Sequence, residues 1–179
     1  MAATAQIPEQ LERFVQGDAD AFEALFRRYQ REVFGWIMRI VRDPAAAEEL
    51  TIETFWRIYR AHARFDPRRS FSAWARRIAT NAALDHLKRP PAEVELAHDP
   101  PDAAASAADV KLATRQAVEQ AFVELSPKLR VAATLALIEE QSYGEIAEAL
   151  GISQSAVKLR VFRAARQLRT RLKQLGMEP

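Results

Sequence analysis

Between Ser142 and Arg163 the chain carries residue types in the order needed to read double-stranded DNA. Ser142 and Glu145, three apart, form a capping box that opens a short helix, and Ile146, Ala147 and Leu150 give that helix one apolar face. Gly151 ends it, because glycine takes the left-handed conformation that turns the chain sharply, and Ser153 then caps a second helix. The second helix turns Ala156, Val157 and Val161 inward and leaves Ser155, Lys158, Arg160 and Arg163 on or near its free faces. That arrangement suits a helix lying in the major groove. An ordinary helical hairpin has the same glycine break, so the charge that follows matters. From Ser155 to Leu175 there are seven basic residues and no acidic one, an electrostatic footprint for a polyanion.

A second group with nucleic-acid chemistry lies between Arg64 and Arg89. Arg64, Arg68, Arg69, Arg76, Arg77, Lys88 and Arg89 offer phosphate contacts. Asn81 and Asp85, four apart on one helical face, offer a donor-acceptor amide and an acceptor carboxylate to base edges. The competing role for Asp85 is an ion pair with Arg89, worth about a few tenths of a kcal/mol. Trp56, Tyr59, Phe65, Phe71 and Trp74 could stack bases, but at helical spacing most of them read as core, with Phe65 in a loop the more open case. No catalytic constellation accompanies these groups. The chain has no cysteine, which excludes disulfides and thiolate chemistry. His62, His86 and His98 are too scattered for a metal site, and no phosphate loop or metalloprotease spacing occurs. No cofactor is expected.

The elements that must hold these residues read as helices throughout. Five glycines in 179 residues, 49% hydrophobic and 28% charged residues describe an ordinary globular chain, and apolar residues recur at three- and four-residue spacing nearly everywhere. The spacing predicts a helix from Asp18 or Asp20, with Asp20 and Glu23 as a capping pair, that runs on through Ile40. Another starts at Asp43-Pro44, and a third runs from Ser70 to before Pro90. Residues 90–110 carry five acidic groups and no basic one, and their Pro, Ala and Asp content suits a tether. Beyond it, a helix to Leu125 precedes Ser126-Pro127, a capped start for the helix before the Ser142 turn. The fold class is therefore all-α, with two small helical domains at 10–89 and 111–176 joined by an acidic Pro/Ala-rich linker at 90–110. No stretch reaches the roughly 18 apolar residues of a membrane span, and the N-terminus has no signal-peptide pattern, so a cytoplasmic protein without membrane insertion is expected.

Three ordered blocks ahead of the helix-turn-helix carry a family resemblance: residues 17–29, opening on Gly17-Asp18 and closing on Arg27, Arg28 and Tyr29; residues 43–56, with Asp43-Pro44, Glu48, Glu49, Phe55 and Trp56; and residues 71–89, with Phe71, Trp74, Arg76, Arg77, Asn81 and Asp85. Together they resemble the extracytoplasmic-function group of bacterial sigma factors, within the sigma-70 family. The resemblance implies a subunit that binds core RNA polymerase and directs promoter-specific initiation without enzymatic activity of its own. It implies that the 43–56 helix docks on a coiled coil of the polymerase largest subunit through Glu49, Leu50, Ile52, Glu53 and Phe55, with Leu50 and Phe55 open to either a core or a contact role. It also implies that Arg68, Arg69, Arg76, Arg77, Asn81, Asp85 and Lys88 face the minus-10 element and the melted non-template strand, with the loop at 65–70 resembling the pocket that holds a flipped base. Ser155, Lys158, Arg160 and Arg163 would face the minus-35 element. A masking anti-sigma partner and a monomeric free state follow from the same resemblance.

Three positions depart from the family pattern: Ile52 stands where a glutamine is usual, Thr80 where an arginine is common, and Leu159 where a small polar residue is frequent. Two other readings compete. A dimeric helix-turn-helix regulator on palindromic half-sites leaves residues 17–89 unexplained, and a nucleic-acid-processing enzyme lacks metal ligands or paired acids.

Overall fold

The computed structural model describes residues 6–89 and 107–176, so most of the acidic tether lies outside the described residues. Every regular element among these is helical, and no helix among them is long and apolar enough to cross a membrane. The chain divides into two compact units, the first running to His86 and taking in Ala147–Gly151.

The first unit begins with a helix outside those expected from the sequence, α1 (Gln6–Val15). Its Leu11 and Phe14 are buried, while Glu9 in the first turn and Arg13 in the last complement the helix dipole. Gly17 turns the chain at φ +85°, and α2 (Ala19–Val41) follows. Its cap is Asp18, not the Asp20 and Glu23 pair: the Asp18 side chain accepts a hydrogen bond from the Ala21 amide at 2.9 Å. Asp20 is already inside the helix, so it cannot supply the extended backbone that a capping residue needs. The Ala21 amide first, and the Arg13 side chain second, hold the Asp18 carboxyl below the ordinary aspartate value of 3.8. A depressed folded-state value stabilises the fold above the unfolded value and loses that contribution as pH falls through the folded one. Asp18→Ala is therefore expected to lower the melting temperature at neutral pH, and thermal melts at successively lower pH should show the gap from the parent closing below about pH 4.

α2 runs unbroken, as its apolar pattern indicates, to a left-handed cap at Arg42. Asp43 then accepts hydrogen bonds from the Ala45 and Ala46 amides at 2.9 and 3.2 Å, and Pro44 fills the first turn of α3 (Pro44–Arg60). A short 3-10 turn (His62–Arg64) and a loop lead to α4 (Phe71–Lys88), where the Ser70 hydroxyl accepts from the Ala73 amide. The core joins these helices through aromatic side chains. Phe14 lies within 6.4 Å, centroid to centroid, of Phe22, His62, Phe65, Phe71 and Trp74, mostly in edge-on or tilted arrangements that suit ring quadrupoles.

The second unit contains α5 (Ala107–Val123), α6 (Pro127–Ala133), a π turn (Thr134–Ile138), the first turn of α7 (Tyr143–Leu150) and α8 (Gln154–Gln174). Its core includes Ala121, Phe122, Leu125, Ala133, Ala164 and Leu168. Ser126 and Pro127 do start α6, but the Ser126 side chain makes no capping bond; its carbonyl accepts from the Leu129 and Arg130 amides instead. The helix expected before the Ser142 turn widens into the π turn, and Glu140 takes φ +51°.

Candidate nucleic-acid interface

The turn between α7 and α8 forms as its residues dictate. The Ser142 hydroxyl accepts from the Glu145 amide at 3.3 Å while the Glu145 carboxylate accepts from the Ser142 amide at 2.9 Å, which is the reciprocal capping box. Gly151 sits at φ +63°, and Ser153 accepts from the Ala156 amide at 3.2 Å. Ile146 and Ala147 are buried, as are Val157 and Val161; Ala156 is half-buried.

Burial fixes which face of α8 is free. Val157, Val161, Ala164 and Leu168 are buried and define one line along the helix. At about 100° per residue, Leu159 and Arg166 fall nearly opposite that line, with Ser155, Phe162 and Arg163 beside them. Lys158 and Arg160 lie on the flanks, and Arg160 is half-buried. Of the seven basic residues, Arg171 is tied to Glu124 at 2.8 Å, so that charge is structural. The outward face thus keeps Ser155 and Arg163 from the residues picked out by sequence, and adds Leu159, Phe162 and Arg166. Polarity alone hid Leu159 and Phe162; their spacing from the buried valines identifies them.

On α4, Arg77, Asn81, Asp85 and Lys88 follow at spacings of four, four and three, so they share a stripe. Arg77, Asp85 and Lys88 are exposed and Asn81 is half-buried. Asp85 reaches across to α3, where the Arg57 guanidinium lies 3.5 Å away, an ion-pair partner that spacing along α4 does not suggest. Arg57 also binds Glu53 at 2.6 Å. Arg76 lies off this stripe, half-buried, with its guanidinium 4.6 Å from the centroid of the Trp36 ring. That cation-π contact makes Arg76 a packing residue on this face. In the loop, Arg68 pairs with Asp66 at 3.0 Å, and the pair holds the Asp66 carboxyl below its ordinary value. Arg68 and Arg69 remain exposed. Phe65, the aromatic that sequence left most open, is buried against Phe71 and Trp74; tertiary packing of the aromatic cluster overrides its loop position.

α3 separates the five residues assigned to polymerase binding into two sets. Leu50 and Phe55 are 4% and 2% exposed and belong to the core, so neither is available as a contact. Glu49 and Ile52 are exposed and Glu53 is half-buried. Trp56, read from sequence as core, is 62% exposed, and Ile52, one turn earlier, is 58% exposed. Among the described residues no cluster of three His, Asp or Glu side chains is placed to hold a metal ion.

Comparison with known proteins accounts for both units. Residues 25–90 match the model for sigma-70 region 2 and residues 115–168 the model for sigma-70 region 4. The chain is 37% identical to the RNA polymerase sigma factor CarQ of Myxococcus xanthus, over 94% of this chain and 98% of that protein. It is 31% identical to the RNA polymerase sigma-H factor of Pseudomonas aeruginosa, with 92% of each chain covered. Among solved structures, CnrH in complex with the cytosolic domain of CnrY is similar at a TM-score of 0.64 and 25% identity, covering 94% of this chain and 97% of that one. A motif confined to the helix-turn-helix would leave residues 25–90 without an account; the two region models, in order on one chain, supply it. The chain belongs to the sigma-70 family, as a sigma factor of its extracytoplasmic-function group.

Proposed function

We propose that the two units divide promoter recognition between them, in a chain whose family role is to direct RNA polymerase to specific promoters. The N-terminal domain, residues 10–89, binds core polymerase through the exposed face of α3 and reads the minus-10 element with the α4 stripe, helping to separate the strands. The C-terminal domain, residues 111–176, sets α8 in the major groove of the minus-35 element, and residues 90–110, the last four of which already belong to α5, tether the two. One observation carries this reading: both sigma regions occur in order, and each presents an exposed helix face with cationic side chains, Arg77 and Lys88 on α4 and Arg163 and Arg166 on α8. Two separately weak contacts joined by a linker gain from effective concentration, so strong selection requires both boxes at the correct spacing. The protein works in the cytoplasm with polymerase, as a regulatory initiation factor and not as an enzyme. A masking protein partner belongs to the same proposal, since the similar CnrH was solved with the cytosolic domain of another protein.

The test follows strand opening. Asn81→Ala removes the amide that would bond an unstacked base, a contact worth about 1–3 kcal/mol, so holoenzyme carrying it should open the promoter about 10- to 100-fold less well. Permanganate reactivity of thymines around the start site measures this directly. Opening equal to that of the unaltered chain would refute the role assigned to α4.

A further inference from the structure

We propose that Leu159 and Phe162 read thymine in the distal promoter box through its C5-methyl group, so that α8 selects bases by apolar contact at the centre of its free face. The inference rests on the minus-35 role given above to α8. Leu159 is 48% exposed and Phe162 66% exposed, three residues apart in the first half of the helix, the part that meets base edges in helix-turn-helix proteins. Sequence reasoning expects base contacts from polar and basic side chains, yet here those side chains flank the apolar pair. Lys158 lies to one side, Arg163 to the other, and Arg166 follows one turn after Phe162.

The chemistry of these two side chains narrows what they can recognise. Neither leucine nor phenylalanine has a hydrogen-bond donor or acceptor on its side chain, so neither can read the polar code that separates guanine from adenine or cytosine. The major groove carries one apolar group, the thymine methyl, and apolar side chains are the ones that contact it. The surrounding charge favours the same occupant. With no carboxylate from Ser155 to Leu175, cationic side chains on the same face can hold phosphates while the apolar pair enters between them.

The experiment uses holoenzyme formed from core polymerase and the full chain. Duplexes are first selected from a library randomised upstream of a fixed start region, and each thymine of the recovered upstream box is then replaced in turn by uracil, which lacks only the methyl. One methyl withdrawn from contact weakens binding about fourfold. The result expected is a loss of that size at one or two thymines, with the same uracil causing no further loss in Leu159→Ala or Phe162→Ala holoenzyme and the usual loss in Leu159→Met, which keeps an apolar side chain. The scan on the unaltered chain requires no variant, and because both positions are exposed the variants should melt at the parent temperature. A box insensitive to uracil at every position overturns the inference and leaves the minus-35 role standing. Failure to recover any upstream box overturns both. Loss of core-polymerase binding by the alanine variants without DNA would instead assign the pair to a protein contact, and overturns the inference as well.

Discussion

Alanine at both Ile52 and Trp56 is expected to weaken binding to core RNA polymerase by about 2–4 kcal/mol, on the order of 30- to 1000-fold. The two side chains lie one turn apart on α3 and are 58% and 62% exposed, next to the exposed Glu48 and Glu49. Tryptophan is the residue type most enriched where binding energy concentrates, and an isoleucine and a tryptophan side by side on a surface helix have little reason to face water. Exposure separates this effect from unfolding, since surface substitutions away from special features usually fall within about 0.5 kcal/mol in stability. Leu50→Ala provides the contrast: Leu50 is 4% exposed, so it should cost about 2–5 kcal/mol of stability and act on polymerase binding through the fold. Titrating core polymerase with labelled chain, alongside thermal melts, distinguishes the two. An affinity for the Ile52 and Trp56 double variant within twofold of the parent would remove α3 as the docking face.

Phe14→Ala should be the most damaging single substitution to the N-terminal unit. Phe14 is fully buried and its ring meets those of Phe22, Phe65, Phe71 and Trp74 as well as His62, so one truncation leaves a void facing α2, α4 and the loop before α4. Removing a buried phenylalanine costs about 3–5 kcal/mol, against a total of about 5–15 kcal/mol for a typical domain. Urea unfolding of the full chain, followed by tryptophan fluorescence, should show the transition that reports Trp36 and Trp74 moving to much lower denaturant. A shift corresponding to less than about 1 kcal/mol would mean that α1 adds little to the unit, which its buried Leu11 and Phe14 argue against.

α1 also shows where sequence reasoning reaches its limit. Most caps and turns were legible because their physics is local: Asp43-Pro44, the Ser142 and Glu145 box, Gly151 and Ser153 each act on amides within a few residues, whereas Asp20 and the Ser126 side chain do not cap. α1 is a ten-residue helix, near the length at which an isolated helix is marginal in water, and it is held by rings from residues 22 to 74. Ile7, Leu11, Phe14 and Val15 do recur at helical spacing, but so short a run does not show what will cover it. Phe65 stayed open for the same reason, since a loop phenylalanine becomes core only once Phe14, Phe71 and Trp74 surround it. The candidate site divides similarly. The α4 stripe was legible as spacing, whereas the exposure of Trp56, the burial of Leu50 and Phe55, and the place of Leu159 and Phe162 at the centre of the α8 face depend on which side of each helix the core occupies.

As proposed above, this chain turns core polymerase into an enzyme that starts at chosen promoters, gripping two boxes at once. Transcription in vitro with core polymerase, with and without the purified chain, on a promoter library in which the spacing between the two boxes varies, tests it most directly. The account predicts new start sites that appear only with the chain, fall off when either box is removed, and peak at one narrow spacing. Initiation that is unchanged by adding the chain, or that is indifferent to the distance between the boxes, would contradict it.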